Sequence, residues 1–162
     1  MKVLILGGVA AGTKAAAKLK REDPDCEVCI LSKGKHISYA GCGLPYYVGD
    51  VIHEKGSLIV NTPEKFSALT GADVKTETEA IALHPKEKTV DAKDLKTGEI
   101  SSYSYDKLVI ATGASPFVPD LPGIHLKNVF VMRTPEDAIS LRSAVEEGSV
   151  KRAVVAGGGF IG

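Results

Sequence analysis

VLILGGVAAGTKAAAKLKRE, residues 3 to 22, is the stretch from which the rest of the chain is read. Val3 to Leu6 is an unbroken apolar run of strand length, Gly7 to Gly12 is a glycine turn, and the alanine-rich segment after it predicts a helix to about Glu22. Pro24 and Asp25 break that helix, and CEVCILS, residues 26 to 32, supplies a second apolar strand. Strand, turn, helix and strand in this order make a right-handed β-α-β crossover in a parallel sheet. Strands without polar alternation are buried on both faces, so both sides of this sheet are expected to be covered.

Working outward, residues 33 to 50 are rich in glycine, with a short helix expected from about Leu44 and Pro45. TPEKFSALTG, residues 62 to 71, predicts another short helix. From Asp73 the pattern turns to strand-like segments, VKTETEAIAL, TVDAKDL and ISSYSYDKLVIATG, split by the turn sequences HPKEK and KTGE. This predicts a small antiparallel meander whose last stretch, KLVIATG, is apolar enough to return to the buried parallel sheet. Pro116, Pro119 and Pro122 mark an extended connection, and a helix follows from about Pro135 to Glu147. KRAVVAGGGFIG, residues 151 to 162, reads as a fresh strand running into a second glycine turn, the one internal echo of the opening. The expected fold class is α/β, a parallel sheet with helices plus an antiparallel β-meander. Residues 1–150 form one domain and residues 151–162 the start of another.

Composition narrows the function. Across 162 residues, 44% are apolar and twenty basic side chains balance twenty acidic ones, so one ordinary core is affordable and net charge points to neither nucleic acid nor an anionic membrane. Any anionic ligand must be held locally. No apolar run approaches membrane-spanning length, and the amino terminus enters a strand directly, without a basic region or cleavage site. Three cysteines, an odd number, predict thiols in a reducing compartment, and hence a cytoplasmic protein.

Gly7, Gly8 and Gly12 stand where a strand feeds a helix, a place where backbone amides and the helix dipole receive a pyrophosphate. Val9 replaces the middle glycine of G-x-G-x-x-G. The fingerprint also wants an acid about 20 residues on, to grip a ribose hydroxyl, and Ser32 is there instead. Its hydroxyl either bonds the ribose more weakly than a carboxylate would, with Lys33 beside it able to meet a phosphate, or Ser32 simply ends the strand. Gly157, Gly159 and Gly162 form a full G-x-G-x-x-G after RAVVA.

SYAGCGLPYYVG, residues 38 to 49, is the most specific stretch of the chain. Cys42 lies between two glycines just before a helix start, where amide dipoles stabilise a thiolate, the nucleophilic form. With no second cysteine nearby, it would cycle through a mixed disulfide with a small thiol, or through a sulfenic acid if a peroxide is reduced. The other reading is a small buried cysteine, for which the glycine neighbours offer little packing. Cys26 and Cys29, three apart on a strand, point to opposite faces and are assigned to packing, not to a metal or a disulfide. His36, His53, His84 and His125 show no metal-ligand spacing.

With the opening glycine loop and YSYDKLVIATGASP, the Cys42 stretch resembles the single-cysteine branch of the flavoprotein disulfide reductases, which holds coenzyme A disulfide reductase, NADH oxidase and NADH peroxidase. The resemblance covers essentially every residue and implies a Rossmann-like FAD/NAD(P)-binding fold of the glutathione reductase type. It implies an FAD held by Gly7, Gly8, Ala10, Ala11, Gly12, Ser32, Lys33, Ala80, Ala111, Thr112 and Gly113, and NAD(P)H at Gly157, Gly159 and Gly162. Cys42 would lie against the flavin ring as the catalytic residue. The departures are Val9, Ser32 for the usual acid, and Gly41 where an asparagine commonly precedes the cysteine. In oxidase and peroxidase members a histidine of the first glycine loop acts beside the sulfenic acid; Ala10 matches it here, as in coenzyme A disulfide reductases, which favours a thiol substrate. Lys14, Lys18 and Arg21 share one helix face, and with Ser38 and Gly41 they match positions that contact coenzyme A; an ordinary solvated basic face is the alternative for the three cations. The implied activity is NAD(P)H-dependent reduction of coenzyme A disulfide or a related disulfide or persulfide, by a homodimer in the complete enzyme, with no metal, nucleic acid or membrane involved. An NADH oxidase or peroxidase, or a flavin-binding module with an inert Cys42, are the alternatives. The chain is expected to be an amino-terminal fragment, inactive alone and binding FAD weakly or not at all, since residues 151–162 cannot form a core.

Overall fold

In the computed structural model, which describes residues 1–148 and 150–159, the opening apolar run is the strand β1 (Lys2–Leu6). It is followed by α1 (Ala11–Glu22), β2 (Glu27–Leu31), a 3₁₀ turn over Gly41–Gly43 that runs into α2 (Leu44–Val48), and a second 3₁₀ turn over Lys55–Leu58. Then come α3 (Pro63–Thr70), β3 (Asp73–Lys75), β4 (Thr78–His84), β5 (Thr89–Asp94), β6 (Ile100–Ser104), β7 (Lys107–Ile110) and α4 (Pro135–Glu146). The chain divides into two units, one of Met1–Tyr39 with Ile59–Gly113, the other of Ala40–Leu58 with the described residues after Gly113.

The first unit is built on a four-stranded parallel sheet in the order β3-β2-β1-β7. Val3 pairs with Val28, Ile5 with Ile30, Ile30 with Val74 and Leu4 with Leu108. The period-two alternation of strands sends these side chains to two different cores. Val3, Ile5, Val28 and Ile30 face one way and bury Ala16 of α1 and Phe66 of α3. Leu4, Leu6 and Leu31 face the other way and pack on Val90 and Ala92 of a second sheet, the antiparallel meander β4-β5-β6. Both faces are therefore covered, one by helices and one by the meander. Each such aliphatic side chain contributes about 1.5–3 kcal/mol on full burial.

The helices of this unit follow their sequence signals. Alanine dominates α1, whose buried side is Gly12, Thr13 and Ala16. Lys20 stands in its last turn, where a cation complements the helix dipole, and donates to the carbonyls of Pro24 and Cys26. Thr62 caps α3 by accepting from the Lys65 amide, Pro63 opens it, and Gly71 at φ +74° closes it.

Two expectations change. Asp73–Lys75 does not belong to the meander: it pairs with β2 as the edge of the parallel sheet, and the chain then turns at Glu77, whose φ is +52°, before β4 begins. VKTETEAIAL alternates without a glycine or proline, so nothing local announces the break. RAVVA, residues 152–156, forms no strand; Val154 is 94% and Val155 65% exposed. A parallel strand draws its hydrogen bonds from neighbouring strands, and apolar content alone cannot supply them.

In the second unit, Leu44, Tyr47 and Leu58 pack around Ala138 of α4, with Ile52, Met132 and Ile139 partly buried against them. Thr134 and Asp137 cap α4 reciprocally, each side chain accepting from the other's backbone amide.

Candidate functional site

The glycine turn after β1 closes more tightly than any side chain allows. Gly7 has φ +109°, and a Cβ there would lie 2.1 Å from the Ala111 carbonyl oxygen and 3.2 Å from the Thr112 amide nitrogen. Ala111 donates its amide to Leu6 (2.8 Å) and Gly7 donates to Leu31 (2.8 Å), so the ends of β1, β2 and β7 are stitched together at this turn. A Cβ at Gly12 would lie 1.8 Å from the Gly7 carbonyl oxygen, which is how α1 starts so close behind the strand. The two stretches assigned to FAD, Gly7 to Gly12 and Ala111 to Gly113, are thus brought together. Thr13 donates its hydroxyl to the carbonyls of Val9 and Ala10, fixing the turn to the helix.

This turn fits a dinucleotide pyrophosphate on its own chemistry. No side chain among the described residues caps the start of α1, and its first turn carries no acid. The first amides of a helix are donors without intrahelical partners, and the helix dipole adds positive potential there. Ala11 and Gly12 open the helix.

Ser32 is buried and ends the parallel edge: its amide donates to Lys75 and its carbonyl accepts from Thr78. Lys33 is exposed and its ammonium lies 2.8 Å from the Glu79 carboxylate. Ala80, in β4, pairs with Ala92 beside an irregularity in the strand register.

A cleft of about 300 Å³ lies alongside the turn. Val9, Ala10, Ala17, Val60 and Phe66 give it an apolar lining, and Thr13, Lys14, Ser38 and Tyr39 complete it. Ser38 has φ +48° and bridges two segments, donating its amide to Gly8 (2.9 Å) and accepting from the Val60 amide (2.9 Å). The Asn61 amide donates to its hydroxyl at 3.4 Å. Of the three cations assigned to substrate, only Lys14 lines this cleft. Lys18 is paired with Glu22 one turn on, and Arg21 is exposed on the helix surface. Val60, Phe66 and Tyr39 were not legible as site residues, because only the fold carries them to Ala10.

Cys42 is exposed and free, and it lies inside the 3₁₀ turn that leads directly into α2. Its two glycine neighbours differ. A Cβ at Gly43 would meet Ala40 and Ile52 at 3.3 Å, so Gly43 is pressed onto the core of its unit, whereas nothing lies within 4 Å of a Cβ at Gly41. The pressed glycine anchors the turn and the open one leaves the thiol accessible. The C-terminal end of α2 is held by Arg142 of α4, whose Nη1 donates to the carbonyls of Tyr47 (2.8 Å) and Ile52 (3.0 Å). The guanidinium also pairs with Asp50 and lies 4.6 Å from the centre of the Tyr47 ring. His53 and Arg142 together hold the Asp50 carboxyl below its ordinary range.

The other cysteines divide as their spacing requires. Cys26 is buried in the helix-side core and Cys29 packs against the meander-side core. Burial, with help from Asp73, pushes the Cys29 thiol up to about 12, so it is not a nucleophile at neutral pH. Gly157 and Gly159 are exposed, with nothing within 4 Å of a Cβ at either; Gly162 lies outside the described residues. Among the described residues no group of His, Cys, Asp and Glu is placed to hold a metal ion, and no helix is long and apolar enough to cross a membrane.

A parallel sheet whose first strand turns through glycines into an uncapped helix, with a second strand end locked onto the same turn, defines a dinucleotide-binding α/β domain. Residues 1–162 match the family described as pyridine nucleotide-disulphide oxidoreductase, and the chain belongs to it. It is 37% identical to the NADH oxidase of Enterococcus faecalis, over all of this chain and 36% of that protein. It is 33% identical to the coenzyme A disulfide reductase of Staphylococcus haemolyticus, over 99% of this chain and 36% of that one. Among solved structures, an NAD-dependent persulfide reductase from A. fulgidus superposes on 91% of this chain and 28% of its own with a TM-score of 0.86, at 39% identity. The chain therefore spans about a third of the length of the curated relatives it matches.

Proposed function

We propose that the full-length protein to which this sequence belongs is an FAD-dependent NAD(P)H:disulfide oxidoreductase, reducing coenzyme A disulfide or a related low-molecular-weight disulfide or persulfide through Cys42. The observation that carries this reading is an exposed thiol set in a 3₁₀ turn between one open and one anchored glycine. The Cys42 thiolate attacks one sulfur of the substrate, RSSR, so that a Cys42–S–S–R bond forms, the substrate S–S bond breaks and one RS⁻ leaves to take a proton. When bound, FAD supplies the two-electron link between NAD(P)H and sulfur. Two electrons entering the mixed disulfide cleave it, returning the Cys42 thiolate and the second RS⁻. The balance is NAD(P)H + H⁺ + RSSR giving NAD(P)⁺ + 2 RSH.

On this reading Gly7, Gly8, Ala10, Ala11 and Gly12 hold the pyrophosphate, Ala111, Thr112 and Gly113 support the flavin side, and the later glycine turn receives the nicotinamide dinucleotide. The lined cleft suits a thiol with an apolar arm and an anionic end. Val60 and Phe66 meet the arm, Ser38 offers a hydroxyl and Lys14 a cation. Ala10 puts a methyl group in the cleft at the position where the oxidase and peroxidase members carry a histidine, which favours a disulfide over an oxidase or peroxidase reaction. A cytoplasmic homodimer completes the proposal, since its free thiols belong in a reducing compartment.

The test assays the complete protein, unaltered and as Cys42→Ser, for NAD(P)H oxidation with coenzyme A disulfide and, separately, with hydrogen peroxide. The expected result is turnover of the disulfide that vanishes in the variant. Faster consumption of peroxide would favour the oxidase or peroxidase reading, and full disulfide turnover by Cys42→Ser would reduce the chain to a flavin-binding module.

A further inference from the structure

A dinucleotide site of this architecture places an acid at the end of the second strand, where the carboxylate accepts from ribose hydroxyls. Here that place is Ser32, a neutral side chain that is 4% exposed. Thr78, the first residue of β4, runs directly beside it and donates its amide to the Ser32 carbonyl (3.0 Å), and Glu77, just before the strand, donates to Gly34 (3.3 Å). The next residue along is Glu79, whose carboxylate is held 2.8 Å from the Lys33 ammonium. Its side chain is 34% exposed against 70% for Lys33, so the carboxylate is the more enclosed partner of the pair. Exposed ion pairs contribute little to stability, and fold stability is therefore a weak reason for this one.

We propose that Glu79, oriented by Lys33, is the carboxylate that accepts from the adenosine ribose hydroxyls of the bound dinucleotide, supplying from β4 the acid that residue 32 lacks. The inference rests on the reading of this chain as an FAD-binding domain. A serine hydroxyl is a weaker acceptor than a carboxylate, and hydrogen bonds to charged groups are roughly twice as strong as neutral ones. Lys33 offsets the charge that an unpaired carboxylate would place beside a pyrophosphate site, which explains a cation and an anion side by side where an anionic ligand binds.

The experiment strips the flavin from the complete protein and measures rebinding by flavin fluorescence, with FAD, with an FAD analogue lacking the adenosine ribose 2′-hydroxyl, and with FMN. Glu79→Gln is expected to weaken FAD binding about ten- to a hundredfold, the range for a hydrogen bond to a charged group, to leave FMN unaffected, and to lose discrimination against the deoxy analogue. Adding Ser32→Glu to that variant is expected to restore FAD affinity. Unchanged FAD affinity in Glu79→Gln, or equal losses for FAD and FMN, would overturn the proposal while leaving the flavoprotein reading intact. Failure of the unaltered protein to rebind FAD would overturn both.

Discussion

One methyl group added at Gly7 imposes two costs on the same residue. The backbone there sits at φ +109°, and a side chain held in so sparsely populated a region costs about 1–3 kcal/mol. The Cβ of Gly7→Ala would also lie 2.1 Å from the Ala111 carbonyl oxygen and 2.7 Å from its carbon, more than about 1 Å inside ordinary contact distance. No side chain can swing away, because both obstacles are backbone. Both are also anchored, Gly7 to Leu31 and Ala111 to Leu6 by hydrogen bonds of 2.8 Å. Relief therefore means parting β1 from β7 at their ends, losing about one hydrogen bond (0.5–1.5 kcal/mol) and some packing (1–3 kcal/mol). The sum, about 2.5–7.5 kcal/mol, is a large share of the 5–15 kcal/mol that holds a typical domain folded.

Circular dichroism melting of the complete protein and its Gly7→Ala variant, with flavin absorbance recorded on both, measures this. The melting point is expected to fall by about 5 °C or more, and the flavin bands to be lost. Gly41→Ala is the matched control: its φ is not positive and nothing lies within 4 Å of the added carbon, so its melting point should not move. A Gly7→Ala protein that melts with the unaltered one and keeps its flavin would refute the steric reasoning.

Brief alkylation with iodoacetamide at mildly alkaline pH, followed by peptide mapping, is expected to modify Cys42 and spare Cys26 and Cys29; labelling of native Cys29 at a comparable rate would contradict a thiol raised to about 12. Asp50 is held below its ordinary carboxylate range by His53 and Arg142, so it stabilises the fold above about pH 4 and loses that contribution as the pH falls towards its folded value. Asp50→Asn should therefore lower the melting point at neutral pH and match the unaltered protein in strong acid; an equal deficit at both would exclude this linkage. Lys14→Ala is expected to raise KM for coenzyme A disulfide about tenfold, the loss of one charged contact, with little change in kcat, whereas Lys18→Ala, whose ammonium is committed to Glu22, should leave KM alone. The reverse order would remove the lined cleft as the substrate site.

The parts of the fold that were legible are those dictated within a few residues. Val3 to Leu6 had no polar alternation, and the strand is indeed buried on both faces, with odd-numbered side chains against α1 and even-numbered ones against the meander. Thr62, Pro63 and Gly71 bracket α3 by local capping chemistry alone. The break at Glu77 was invisible because the residue that adopts a positive φ there is a glutamate, not a glycine or asparagine. RAVVA failed as a strand for the opposite reason, a clear local pattern without partner strands to pair with.

The same division runs through the candidate site. The glycines of the first turn announce themselves because their sterics are set by the chain next to them, while the Lys33–Glu79 pair joins the loop after β2 to β4 and Arg142 reaches Tyr47 across 95 positions. That last contact bears on the nucleophile. At five residues α2 is too short to hold its shape alone. Its Tyr47 carbonyl and the Ile52 carbonyl in the loop beyond accept from a guanidinium that belongs to α4, and α4 is in turn fixed by the Thr134–Asp137 cap. The stretch SYAGCGLPYYVG thus identifies the thiol, but the segment that presents it is braced by a helix nearly a hundred residues later, whose own sequence carries no motif for the task.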